Sequence, residues 1–313
     1  MKLAFVFPGQ GSQSVGMMSG YAELDPVIET FTEAKGLLGE DLWSMAQAGP
    51  AELLNLTTNT QPLMLVSGVA VFRAWLDAGG RYPDVFAGHS LGEYSALVAT
   101  DAMKFSDAVP LVRFRAQCMQ EAVPAGTGAM AAVLGLDDDG VRAACAQASS
   151  GDEIAEAANF NAPGQVVVAG QKAAVERAIV AAKERGAKRA MLLPMSAPSH
   201  CTLMKPASDR LADKLNEIAL SMPKVPVLHN ESVAAAGNVS ELRQALVRQL
   251  YQPVRWAETI SHLIESGVTH IVECGPGKVL AGLNKRIGGD VQTIALTDAA
   301  ILNDTVSLLK GEQ

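Results

Sequence analysis

Val85-Phe86-Ala87-Gly88-His89-Ser90-Leu91-Gly92-Glu93-Tyr94 starts as an apolar run of strand character, passes through Gly-x-Ser-x-Gly, and continues as a helical pattern to Ala99. Strand, sharp turn and helix form the context of a nucleophile elbow. Gly88 and Gly92 let backbone segments approach where a Cβ would clash. Such a turn lifts the Ser90 hydroxyl clear of a sheet. It leaves the Leu91 N–H at the positive end of a helix dipole, a natural oxyanion donor. The competing reading is a glycine-rich turn around a buried structural serine; the flanking strand and helix favour the nucleophile.

Outward from the elbow, apolar strands alternate with helices. Residues 3–7 read as a fully buried strand followed by Pro8-Gly9-Gln10-Gly11-Ser12-Gln13. That loop carries amide side chains but lacks the Gly-x-x-x-x-Gly-Lys-Ser/Thr phosphate pattern, which occurs nowhere in the chain. Asp25-Pro26 predict an N-cap and N1 pair for a helix to residue 38, and Pro50 a short helical segment. Residues 60–78 form a long apolar helix ended by Gly79-Gly80. Ser106-Asp107 predict the cap of a helix to about 123.

Pro124-Ala125-Gly126-Thr127-Gly128 marks a break in composition. Beyond it a strand (129–136), a helix (137–148), two strands (154–161, 165–169), a helix (172–185) and a strand (188–195) give the β-α-β-β-α-β order of a ferredoxin-like unit. Alternation then resumes: helix 202–219, strand 225–229, helices opened by Ser240 and Pro253, strand 268–274, helix 278–287, strand 291–296 and helix 299–309. The expected fold is α/β: an α/β-hydrolase-like large domain with a parallel sheet, discontinuous over 1–125 and 197–313, carrying a ferredoxin-like small domain at 126–196.

Composition narrows the function classes. The 313 residues, 49% hydrophobic and 19% charged, provide ample core. A net charge of −8 argues against nucleic acid or an anionic membrane as a general partner. Cys118, Cys145, Cys201 and Cys274 are widely spaced, with no C-x-x-C pair, which reads as reduced thiols and no metal site. The apolar start is too short for a signal peptide, and no run approaches the ~20 apolar residues of a membrane helix. A cytoplasmic protein, expected to be monomeric, is the reading.

A serine nucleophile needs a base, and histidine titrates near neutral pH. On strand-like backbone, His89 should turn away from its neighbour Ser90. His262 falls mid-helix and His270 at the start of a strand. His229 ends a strand and is within reach of a site at the sheet's carboxyl edge. His200, in a Pro/Ser loop where the two domains meet, is favoured because clefts between domains hold sites. No carboxylate is placed to orient it; Asp209 and Asp213 read as solvated, so a backbone or amide carbonyl is the alternative. Arg113 and Arg115, on the helix after the elbow, are candidates to bind a carboxylate bidentately, and Met119 shares a face with Arg115.

These residues resemble the malonyl-CoA:acyl-carrier-protein transacylases of bacterial fatty acid synthesis, essentially over the whole chain. The likeness rests on Phe7-Pro8-Gly9-Gln10-Gly11-Ser12-Gln13, Thr60-Gln61-Pro62, Gly88-His89-Ser90-Leu91-Gly92-Glu93, Arg115-x-x-x-Met119, Asn159-Phe160-Asn161-x-Pro163-Gly164-Gln165, Pro198-Ser199-His200, Gln249-Leu250-Tyr251-x-Pro253-Val254 and Gly275-Pro276-Gly277. The resemblance implies Ser90 as nucleophile and His200 as base, with the Gln10 and Leu91 amides as oxyanion hole. It further implies Arg115 as the malonyl carboxylate site, Met119 and Asn161 beside it, and the Gln249 main-chain carbonyl orienting His200. Ala116 departs from the glycine common after this arginine. No cofactor or metal is implied; CoA thioester is substrate, and phosphopantetheine arrives on the carrier protein. Docking that acidic partner calls for a basic patch, either Lys183, Arg185, Lys188 and Arg189 or Lys278, Lys285 and Arg286. The alternatives are the transacylase subunit of a malonate decarboxylase system and an α/β-hydrolase-type thioesterase.

Overall fold

The computed structural model describes residues 1–195 and 197–311. Position 196, at the end of the expected small domain, and positions 312 and 313, at the end of the expected large one, lie outside the described residues. In chain order the elements are β1 (Leu3–Phe7), α1 (Asp25–Leu38), α2 (Leu42–Ala48), α3 (Ala51–Leu54), α4 (Thr57–Asp77), β2 (Val85–Gly88), α5 (Gly92–Ala99) and α6 (Phe105–Glu121). Then come β3 (Gly128–Leu134), α7 (Asp138–Ala148), β4 (Ala155–Ala162), β5 (Gln165–Gln171), α8 (Lys172–Glu184) and β6 (Arg189–Leu192). The chain closes with α9 (Lys205–Asn216), β7 (Val227–Leu228), α10 (Val239–Arg248), α11 (Trp256–Glu265), β8 (His270–Cys274), α12 (Val279–Ile287), β9 (Gln292–Leu296) and α13 (Ala299–Gly311).

Two sheets organise these elements. The first runs β7-β2-β1-β8-β9, with every pairing parallel. Its central strand, β1, is wholly buried, as expected of a strand covered on both faces. On one side Phe5, Phe7, Phe72, Trp75 and Phe86 interlock, with α4 as the main cover. On the other, Ala4, Val6 and Ala87 meet Trp256, Ile260 and Leu283. The second sheet runs β4-β5-β3-β6, all antiparallel, with α7 and α8 against it, which is the expected ferredoxin-like arrangement. Backbone bonds join the two: Phe160 N donates to Val254 O and Val254 N to Ala158 O, both at 2.9 Å.

Local differences from the sequence reading have identifiable causes. Asp25 is the first residue of α1, with Leu24 at the N-cap. Helix α6 starts at Phe105, with Lys104 at the cap position, so Ser106 lies inside it. Asn238, not Ser240, caps α10, its side chain accepting from Glu241 N at 2.9 Å. Helix α11 begins at Trp256, three residues past Pro253, because Val254 is drawn into the bridge with the second sheet. Helix α2 was not read from sequence, although Asp41 accepts from Ser44 N as an ordinary N-cap.

Candidate active site

The elbow is set between β2 and α5. Ser90 has φ 50°, a strained value for a residue with a side chain. A Cβ on Gly88 would lie 2.0 Å from Gly92 C, and one on Gly92 would lie 2.1 Å from Phe7 O, so the turn is as tight as its glycines allow. Two amide side chains lock it. Asn230 accepts from Ser90 N at 2.6 Å and donates to Gly88 O at 2.6 Å. Gln249 donates through Nε2 to Ser90 O at 3.0 Å.

Ser90 Oγ lies 2.7 Å from His200 Nε2. His200, also at positive φ (62°), is pinned by its own N–H to Leu250 O. Its Nδ1 lies 2.7 Å from Gln249 O, at the C-cap of α10. The end of a helix leaves its last carbonyls without intrahelical donors and at the negative pole of the dipole. A main-chain oxygen thus occupies the position a carboxylate holds in a Ser-His-Asp triad. Asp209 and Asp213 are exposed, and Asp209 pairs with Lys205. Burial, with the Arg115 charge nearby, pushes the His200 pKa down to about 3, against the Gln249 bond that works to raise it. The imidazole is therefore neutral and able to accept a proton at pH 7.

Arg115 is 1% exposed, yet no carboxylate pairs with it among the described residues. It donates to Gln61 Oε1 at 2.7 Å, to Gln249 Oε1 at 3.0 Å and to Ser90 Oγ at 3.3 Å, and it lies over the Tyr94 ring. Desolvation lowers its pKa, so an anion arriving here relieves a buried charge. Arg113, the other candidate, is engaged by both oxygens of Glu40 at 3.0 and 2.5 Å.

These groups border a cleft of about 130 Å³ between the two sheets. Gln10, Leu91, Arg115 and Met119 line the large-lobe side. Asn159, Asn161, Met130 and Val167 line the other. Neither the Gln10 nor the Leu91 amide hydrogen has an acceptor among the described residues. Met119 Sδ receives Gln61 Nε2 at 3.5 Å. His89 makes no bond to Ser90, as the alternation argument requires, but it also borders the cleft, with Nε2 2.8 Å from Asn161 Oδ1 and its ring against Trp256.

The remaining histidines stand apart. His229 lies behind the elbow, its Nδ1 2.7 Å from the fully buried Glu93, whose charge holds the imidazole pKa above its ordinary value despite burial. His262 is exposed, and His270 sits at the opposite end of the sheet. Sequence reading gave no role to Glu93, Asn230, Gln61 or the Gln249 side chain. Gln61 was detectable as an amide at the head of the apolar run of α4; the others meet only through tertiary structure.

No helix among the described residues is long and apolar enough to cross a membrane, and no group of three or more His, Cys, Asp or Glu is arranged to hold a metal ion. The family model described as acyl transferase domain matches residues 4–297. A malonyl CoA-acyl carrier protein transacylase of Escherichia coli K12 is 52% identical over 308 residues, covering 98% of this chain and 99% of its own. That of Bacillus subtilis is 44% identical over 312 residues, covering 99% and 98%. Among solved structures, an acyl-carrier-protein S-malonyltransferase from Burkholderia pseudomallei superposes with TM-score 0.96 at 56% identity, covering 98% of this chain and all of that one. A malonyl-transacylase solved in complex with a type II PKS acyl-carrier protein gives TM-score 0.96 at 49% identity, covering 98% and 100%. With likeness of this degree along nearly the full length of both partners, the chain belongs to the malonyl-CoA:acyl-carrier-protein transacylase family of acyl transferases.

Proposed function

We propose that this protein moves a malonyl group from malonyl-CoA to the phosphopantetheine thiol of an acyl carrier protein, through a malonyl-Ser90 intermediate, in support of fatty acid synthesis. The observation that carries the reading is a serine hydroxyl 2.7 Å from a neutral imidazole and 3.3 Å from a buried guanidinium with no acid partner among the described residues. The names of its relatives support the same substrate and acceptor.

Ser90 Oγ attacks the thioester carbonyl as His200 Nε2 takes its proton. The tetrahedral oxyanion is received by the Gln10 and Leu91 amides, each donor contributing on the order of 10²–10³ in rate. The C–S bond breaks, and the leaving CoA sulfur takes the proton back from His200. The carrier's thiol then repeats the sequence on the serine ester, so the kinetics are ping-pong. Arg115 holds the malonyl carboxylate throughout, with Met119 and Asn161 bounding the acyl group. On our reading the chain divides into a catalytic domain (1–125, 197–313) and an inserted domain (126–196), with these groups along the seam. Lys183, Arg185, Lys188 and Arg189, or Lys278, Lys285 and Arg286, all exposed, offer positive charge to an acidic carrier. Four buried free cysteines accord with a cytoplasmic location.

The test is mass spectrometry after brief exposure to malonyl-CoA. A malonyl adduct on the Ser90 peptide, discharged by holo carrier protein, is expected. Rapid release of free malonate without a thiol acceptor would instead identify a thioesterase, and no adduct would end the proposal.

A further inference from the structure

We propose that Glu93 is a positioning residue that sets the preference for carboxylate-bearing acyl groups by fixing the orientation of the Gln249 amide beneath Arg115. This inference rests on the reading of Arg115 given above. The Gln249 side chain touches both working parts of the site. Its Oε1 accepts from Arg115 at 3.0 Å, while its Nε2 donates to Ser90 O at 3.0 Å and to Glu93 Oε2 at 2.9 Å. An amide can be turned end for end at little intrinsic cost, and a turned Gln249 would point an NH₂ at the guanidinium, donor against donor. The Glu93 carboxylate and Ser90 O only accept, so together they hold the amide in one orientation.

Glu93 is itself immobilised. It is fully buried in the first turn of α5, where the helix dipole favours a negative charge. Its Oε1 lies 2.7 Å from His229 Nδ1, and Oε2 also accepts from Asn230 N at 3.0 Å. Asn230 in turn clamps the elbow at Ser90 N and Gly88 O. One carboxylate behind the sheet edge therefore holds in register the group that pairs with the acyl carboxylate and the turn that carries the attacking hydroxyl. Glu93 does not line the cleft; its hydrogen-bonded route to Arg115 is Gln249, and its charge also acts on the guanidinium through space.

The consequence is specific. In Glu93→Gln the charge is lost and Gln249 Nε2 keeps only a neutral acceptor at position 93 beside Ser90 O, so the amide is held less firmly and its hydrogen bond to Arg115 weakens. Single-turnover acylation is measured by intact mass with malonyl-CoA and with acetyl-CoA, for wild type, E93Q, Q249L and the double variant. The malonyl-to-acetyl rate ratio is expected to fall about tenfold in E93Q, as for a weakened hydrogen bond to a charged group. It should fall at least as far in Q249L, which keeps the main-chain carbonyl at His200, and E93Q should lower it no further in the Q249L background. Equal losses with both thioesters in E93Q, or effects that multiply in the double variant, would overturn the proposal. Should E93Q fail to fold by circular dichroism, Q249L decides alone, and an unchanged ratio there overturns it. Absence of a malonyl adduct on the wild-type enzyme would instead count against the functional reading itself.

Discussion

Arg115→Met removes the guanidinium and keeps an unbranched side chain of similar reach against Tyr94. If Arg115 receives the malonyl carboxylate through two charge-assisted hydrogen bonds, each is worth about 1.5–3 kcal/mol in a desolvated site. Their loss then costs about 3–6 kcal/mol, or about 10²- to 10⁴-fold in kcat/KM for malonyl-CoA. Two other consequences of the substitution do not depend on the acyl group. Gln61 Oε1 and Gln249 Oε1 lose a donor, and His200 loses a neighbouring positive charge. Acetyl-CoA, which ends in a methyl where malonyl continues as CH₂–COO⁻, reports those alone. The ratio of the two kcat/KM values therefore isolates the ion pair. Stopped-flow release of CoA thiol, followed with a thiol-reactive dye, provides both numbers, with circular dichroism to establish folding. Equal losses for malonyl and acetyl would refute the assignment, because the effect would then lie in the Ser90–His200 geometry.

The pH dependence of acylation is expected to be flat from about pH 8 to about pH 5, because His200, held near 3, is already neutral throughout; an inflection near 6.5 in single-turnover rates would contradict this. The sign for stability is the reverse of a paired histidine. Below about 6.5 the unfolded chain takes up a proton that the folded His200 refuses, so stability drains as pH falls towards about 3. Gly92→Ala forces a Cβ to within 2.1 Å of the β1 backbone and should cost about 3 kcal/mol or more, the upper range for overpacking. Gly36→Ala, in open space inside α1, should stabilise by about 0.5–1 kcal/mol, and urea unfolding of the two variants checks both.

Much of this arrangement is legible in the chain. The strand–turn–helix signature around Ser90 announces the elbow because its chemistry is local: the glycines, the apolar strand and the helix are contiguous. The switch from parallel to antiparallel pairing is equally visible in the short elements between residues 128 and 192. The base is harder to read. Side-chain patterns reveal a carboxylate partner, whereas His200 is oriented by a main-chain carbonyl that any residue at position 249 would present. Spacing alone left Arg113 and Arg115 level and the resemblance favoured Arg115; the structure adds that Glu40, between α1 and α2, occupies Arg113. Glu93, Asn230 and Gln249 lie 137 or more residues apart along the chain from the elbow helix to their partners, and no periodicity reports such a meeting. The cap of α10 was misplaced because Asn238 and Ser240 both carry suitable side chains, whereas α1 and α6 start without a side-chain cap, at Leu24 and Lys104.

The ladder between β4 and Val254 has a practical consequence for protein engineering. Two main-chain bonds stitch the inserted unit to the segment that follows Gln249, far outside the insert in sequence, and the His89–Asn161 bond adds a third tie across the seam. The insert is thus a poor cassette: a chimera that exchanges only the segment between the two junctions would graft one half of a seam onto a foreign other half. Recombination intended to alter which acyl groups are accepted should carry the strip around residue 254 along with the insert.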